Sequence, residues 1–156
     1  IGTTEEFNYA GLTFKTYKAI QIAKGDEEPT LENFKKLSLN QVKEIIREEF
    51  YDKPGLDKLP DSLQGVVFDH GLMRGSPNAI ELLQKTIGLR GDEVDGIIGE
   101  QTLDILSEAY LPQIINAYQA ARVKDFEDII KANPNLEQFR KGWIDNRVKT
   151  YPIRGN

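Results

Sequence analysis

The feature that most constrains this chain is the spacing of its apolar residues. They recur at intervals of three and four along nearly the whole sequence, the period that gathers them on one face of an α-helix. Thr13 is placed to cap a segment carrying Phe14, Tyr17, Ala19, Ile20 and Ile22, closed by Gly25. A short segment follows around Leu31, Phe34 and Leu37. Ser38 and Gln41 form a capping-box pattern ahead of Val42, Ile45, Ile46 and Phe50. The stretch "YDKPGLDKLP" is a loop by its proline and glycine content. Leu63, Val66 and Val67, with His70 beside them, mark another helix. Ser76 reads as a cap followed by Pro77 at the first helical position, and Ile80, Leu83 and Ile87 continue to Gly88. Leu103 and Leu106 indicate a short helix. Pro112 opens a long one through Ile115, Tyr118, Arg122, Phe126 and Ile129. Asn133-Pro134 closes it and starts the last, with Leu136, Phe139, Trp143 and Val148. Strand-like alternation is missing, although "EVDGII" has the makings of a short ribbon. The expectation is an all-α fold of roughly eight helices with at most a short β-ribbon.

At 156 residues, 39% hydrophobic and 29% charged, the chain has the makings of one ordinary domain with a real core. Cysteine is absent, which excludes disulfides, thiolate metal sites and a cysteine nucleophile. A single histidine excludes a multi-histidine metal centre, and no metal or cofactor is expected. Apolar runs as short as "LLQKTIGL" do not span a membrane. The net charge of −5 argues against a nucleic-acid binder. Charge is uneven: residues 111–156 hold 8 Lys/Arg against 5 Asp/Glu, and residues 1–110 hold 12 against 20. The last helices either offer a basic face to an anionic polymer or are simply solvated. The chain starts at Ile1 and its one methionine is Met73, so a preceding segment is expected.

Two stretches are specific enough to suggest a family. Residues 78–106, "NAIELLQKTIGLRGDEVDGIIGEQTLDIL", hold Ala79, Leu83, Gln84, Gly88, then Asp95-Gly96, Gly99, Thr102 and Leu103. This resembles the A-x-x-x-LQ helix and D-G-x-x-G-x-x-T-L turn of peptidoglycan-binding helical modules. Asp95-Gly96 is suited to a tight turn, and Gly99 would let the next helix start close to its neighbour. "FRKGWIDNRV", residues 139–148, resembles the C-terminal end of glycoside hydrolase family 108, a group of lysozyme-like muramidases. "NYAGLTFKTY", "VKEIIREEFYDKPGLDKLP" and "VVFDHGLMRGSPNA" are similar, in order, to other family segments. The resemblance implies a lysozyme-like helical domain, with residues 1–75 the remainder of a catalytic region. Residues 76–156 would be a peptidoglycan-binding-type region packed on it as one globular unit.

The family's E-G-G acid motif precedes a D-x-G-G-x-T stretch. Gly2 aligns with the first glycine of that stretch and Thr3 replaces the second, so the resemblance places the principal glutamate upstream of Ile1. Ala10 is an insertion, and Met73 stands where the family usually has a small polar residue. Glu5 and Glu6 occupy the turn where a water-positioning or base carboxylate is expected, or are ordinary exposed charges. Thr4, Tyr9 and Tyr51 are candidate substrate contacts. Asp69 is either a satisfied structural carboxylate or a substrate contact. His70 reads as half-buried and locally hydrogen-bonded, with scope to tune a site near neutral pH. Trp143 reads first as core, on a stripe with Phe139 and Val148, and second as a sugar-stacking ring. Arg147 is expected to pair with a carboxylate. The function implied is a peptidoglycan hydrolase of the bacterial periplasm, cell wall or phage virion. The alternative is an inactive wall-binding or structural module of a phage tail or secretion apparatus. A generic helical interaction protein would explain the helices but not the ordered motifs.

Overall fold

The computed structural model describes residues 4–152, so Gly2 and Thr3 lie outside the described residues. The described part is all-α, with seven α-helices, shorter 3₁₀ and π segments, and one two-stranded ribbon. It forms two compact units that divide after Tyr51.

In the first unit a 3₁₀ turn, Thr4–Glu6, leads into strands β1 (Asn8–Tyr9) and β2 (Leu12–Thr13). They are antiparallel, with Asn8 opposite Thr13 and Tyr9 opposite Leu12. The loop between them is Ala10-Gly11, with φ of 55° and 101°. Positive φ at both positions is what a type I′ hairpin turn requires. The Asn8 carboxamide oxygen accepts from the Gly11 N–H at 2.8 Å and ties the loop. The ribbon is therefore in "NYAGLT" and not in "EVDGII".

Helix α1 (Phe14–Ala23) is capped by Thr13, whose hydroxyl accepts from the Thr16 N–H at 3.2 Å. Thr30 caps α2 (Leu31–Lys35) in the same way. Ser38 and Gln41 complete the expected capping box of α3 (Leu39–Arg47), which widens into a π segment at Glu48–Asp52. These caps satisfy N–H groups that the first turn leaves without helical partners. The core of the unit centres on Phe34, which is fully buried. Phe7, Tyr9, Phe14 and Tyr17 surround it at ring-centroid distances of 6.3, 5.9, 5.8 and 4.9 Å.

The second unit contains α4 (Asp61–Arg74), α5 (Ser76–Thr86), α6 (Glu100–Glu108) and α7 (Leu111–Ala132). A 3₁₀ stretch, Pro134–Phe139, and a π-helical segment, Lys141–Val148, close the described chain. Gly75, at φ 88°, caps α5, so Ser76 is the first helical residue and not the cap. The Ser76 hydroxyl is buried and makes no hydrogen bond among the described residues. The bend at Gly75 comes one residue earlier than the Ser-Pro pair suggests. Gly71 then faces Ser76 so closely that a Cβ there would lie 3.4 Å from the hydroxyl oxygen.

Helix α7 buries Ile115, Tyr118, Arg122, Phe126 and Ile130. Phe126 and Ile130 pack with Ile144 and Val148, with Met73 and Trp143 against them. Trp143 lies between Phe126, at 5.3 Å, and Phe139, at 5.2 Å. Trp143 is half-buried at the edge of this core, and Phe139, expected on the same buried stripe, is instead exposed.

Ala10 holds a left-handed conformation that costs an L-residue about 1 kcal/mol. Replacing Ala10 with Gly should raise the unfolding free energy by about 0.5–1 kcal/mol in urea titrations, less what glycine loses in unfolded-state entropy. A loss of about 0.4–1 kcal/mol, the entropy cost of glycine alone, would show that the hairpin turn is unstrained.

Candidate functional site

In the first unit the expected acidic pair sits on the Thr4–Glu6 turn, exposed at all three positions. Glu5 accepts from Lys18 Nζ at 2.9 Å. That hydrogen bond, with the lysine's charge, holds the Glu5 carboxyl below its ordinary value. Glu5 is thus an ionised carboxylate at neutral pH, able to stabilise positive charge but not to donate a proton. The Tyr9 hydroxyl donates to the Leu37 carbonyl at 2.7 Å, so its hydrogen is spent on the fold. Tyr51 is half-buried, its ring 5.3 Å from the Arg47 guanidinium. The structure gathers Thr4, Glu5 and Glu6 on one turn.

In the second unit Asp69 and His70 belong to a charge network centred on Arg122. The Arg122 side chain is fully buried. Its Nε–H donates to His70 Nδ1 at 3.1 Å, and Nη1 donates to Gln119 Oε1 at 2.8 Å. Nη2 donates to Asp69 Oδ2 and contacts the Met73 sulfur at 3.8 Å. The other Asp69 oxygen accepts from Arg147, at 3.0 Å from Nη2 and 3.3 Å from Nε. His70 Nε2 lies 2.9 Å from Asp125 Oδ2, which also accepts from Arg74 Nε at 3.0 Å. The ring of Tyr151 lies over the Arg122 guanidinium at 5.5 Å.

Each partner explains another. An arginine N–H can only donate, so His70 Nδ1 must accept and Nε2 must carry the hydrogen. Burial pushes the His70 pKa down. The Asp125 hydrogen bond pulls it up, the charges of Arg122 and Arg74 oppose that pull, and the net shift is downward. Burial pushes the Asp125 carboxyl up, but hydrogen bonds from His70 and Arg74 outweigh it and leave the carboxyl below its ordinary value. His70 is fully buried, not half-buried as its sequence setting suggested, and neither ring nitrogen is free. Both Asp69 oxygens are occupied, and Arg147 has the carboxylate partner expected of it. Arg74 and Asp125 were not singled out from the sequence. Arg122 left a signal there, as a charge at a core position of an otherwise apolar stripe.

The A-x-x-x-LQ and D-G-x-x-G-x-x-T elements meet at Gln84, which is 1% exposed. Its amide nitrogen shares two hydrogens among Asp95 Oδ1 at 2.9 Å, the Ile97 carbonyl at 2.9 Å and the Thr102 hydroxyl at 3.2 Å. Its oxygen accepts from the Gly96 N–H at 3.0 Å. Asp95 also accepts from the Ile97 N–H at 3.0 Å, and the Gln84 bond is the main cause of its lowered pKa. A side-chain amide thus serves loop groups that a strand partner would otherwise serve, which is why "EVDGII" forms no ribbon. Gly96 is needed twice, for its φ of 72° and because a Cβ would lie 3.2 Å from the Pro77 carbonyl. Gly99 has no such role: its φ is ordinary and a Cβ there would meet nothing within 4 Å. Beside this loop is a shallow pocket of about 350 Å³, lined by Asp92, Glu93, Asp95 and Glu100 among others. Its carboxylates disfavour an anionic ligand. No group of His, Cys, Asp or Glu among the described residues is arranged to hold a metal, and no described helix is long and apolar enough to cross a membrane.

Replacing Arg122 with Met should cost about 3–5 kcal/mol of unfolding free energy, because Asp69 and His70 lose a buried partner. Replacing Arg147, 43% exposed, with Met should cost under about 1 kcal/mol. Equal losses would refute the central place of Arg122. Replacing Gln84 with Leu should cost about 2–3 kcal/mol, since it strands several loop groups at once. Urea unfolding of the three variants measures all of these.

Comparison with known proteins places these elements. No curated protein matches the chain in sequence. The structure is similar to that of SagA from Brucella abortus, with a TM-score of 0.73 and 27% identity, over 89% of this chain and 73% of that one. Residues 7–75 match the model described as glycosyl hydrolase 108, and residues 78–148 match that of a predicted peptidoglycan domain. The chain thus resembles a glycosyl hydrolase 108 segment followed directly by a peptidoglycan domain, the two matches lying adjacent and in order.

Proposed function

We propose that the protein is a muramidase that cleaves the β-1,4 bond between muramic acid and glucosamine in bacterial peptidoglycan, acting at the cell wall. The observation that carries this reading is the pairing in one chain of a glycosyl hydrolase 108 segment with a peptidoglycan domain. The likeness to SagA across most of both chains supports it.

Glycoside hydrolysis passes through an oxocarbenium-like transition state. It needs a carboxylic acid to protonate the leaving oxygen, and a carboxylate or positioned water on the other sugar face. The acid works near neutral pH only if an apolar setting keeps it protonated. Glu5 does not meet that condition, because Lys18 holds it ionised. The acid is therefore assigned to the glutamate that the family pattern places ahead of Ile1. Glu6 is assigned the second role, positioning water or stabilising charge. Glu5 is an auxiliary negative charge on the same turn. Thr4 and Tyr51 are assigned to substrate contact, with Tyr9 contributing its ring. Asp69 and His70 act indirectly, by fixing the packing of α4. Residues 1–75 supply the hydrolase part and residues 76–156 the wall-holding part, whose basic closing helices suit an anionic wall. The alternative, an inactive wall-binding or structural module of a phage tail or secretion apparatus, rests on the departures at Ala10 and Met73.

Clearing of purified cell walls by the protein expressed with its encoded upstream segment is the test. Replacing the upstream glutamate with Gln should abolish clearing. Glu6→Gln should lower the rate by about 10²-fold. Glu5→Gln should change it by less than about threefold, as expected for an exposed, paired charge. Wall binding without release of reducing sugar would overturn the hydrolase assignment. Full activity of Glu6→Gln would remove that residue from the mechanism.

A further inference from the structure

The two family segments meet between residues 75 and 78, yet the second compact unit runs through that junction. The last helix of the hydrolase segment, α4, is joined to α7 of the peptidoglycan domain by the network around Arg122. His70 stands at the middle of it. Arg122 and Asp125 face its ring from α7, and Arg74 faces it from α4. Asp69 and, from the closing segment, Arg147 reach it through Arg122. The rings of Tyr118 and Phe126 stand edge-on to it at 6.1 and 5.4 Å.

Arg122 Nε–H occupies the Nδ1 lone pair of His70 at 3.1 Å. A proton on Nδ1 would confront that N–H directly, and both groups would then be donors with no acceptor between them. The three arginines already outnumber the two aspartates, so imidazolium would add a further positive charge on a ring that is fully buried. We propose that His70 is an acid-released latch: protonation of its Nδ1 breaks the bond to Arg122 and uncouples α4 of the hydrolase segment from α7 of the peptidoglycan domain.

The direction follows from linkage. An unfolded histidine takes up its proton near pH 6.5. In the fold, burial and the neighbouring arginines delay uptake to lower pH. Between the two values the open chain binds one proton more than the closed one, so stability is full above about pH 6.5 and falls as pH drops. Asp125 shifts in the same sense but acts only below its ordinary carboxylate range, so the interval from pH 6.5 to 5.5 belongs to His70.

The chain has a single histidine, so its imidazole signals are unambiguous. Nitrogen-detected NMR of the wild-type protein should show the neutral Nε2–H form at neutral pH, with proton uptake in the folded state coming at lower pH than in a free imidazole. Hydrogen exchange over the same range should show α4 and α7 amides losing protection, towards tenfold per pH unit, while residues 14–47 stay unchanged. In His70→Gln this pH dependence should vanish, whatever the absolute stability of the variant. The wild-type spectrum decides the matter even if that variant does not fold. Titration of His70 near pH 6.5 with the fold intact, or pH-independent protection of α4, would overturn the proposal.

Discussion

The second unit depends on the buried guanidinium of Arg122. A cation this deep is tolerated only when carboxylates and acceptors surround it, because desolvation costs several kcal/mol per ion. Asp69, His70 and Gln119 supply those acceptors, and they lie on α4 and on α7 itself. The requirement fixes the mutual register of the two helices, since a slide of one turn would strand the charge. It also decides the state of His70, whose tautomer is set by a donor that cannot give up its proton. Arg147 and Arg74, both partly exposed, complete the two ends, where solvent weakens their contribution.

Gln84 plays a comparable part on neutral chemistry. It is buried on α5 and satisfies one backbone N–H, one carbonyl, a carboxylate and a hydroxyl of the following loop. The motif that marks the peptidoglycan domain is therefore a self-sufficient folding device: its glutamine, aspartate and threonine hold one another. That accounts for its sharpness as a signature without any ligand contact. The acidic pocket beside the loop is poorly suited to an anionic polymer.

Caps and apolar periods were readable because each depends on residues at most four apart. Thr13, and Ser38 with Gln41, sit where their side-chain chemistry placed them. The buried faces of α3 and α7 follow the apolar stripe to within a residue. Ser76 misled because a glycine at positive φ overrode a good capping residue one position later. "EVDGII" misled because a glutamine 11 residues from Asp95 captured the loop. Among the candidate site residues, the turn carrying Glu5 and Glu6 was legible, but the pairing of Glu5 with Lys18 joins residues 13 apart. Asp69 and His70 meet partners more than 50 residues away, and no local pattern reports such distances.

The sequence by itself determined the helical class, the caps of α1 and α3 and the position of the Asp95-Gly96 turn, because each is written in short-range spacing. Only the tertiary structure decided what the polar residues do. It showed that Arg122 is buried and not solvated, that the Arg122 donor makes His70 Nδ1 an acceptor, and that α4 belongs physically with the helices of the neighbouring family segment. The reason is that burial and charge pairing depend on which distant side chains arrive at the same place, and helical periodicity says only which face of a helix is available to meet them.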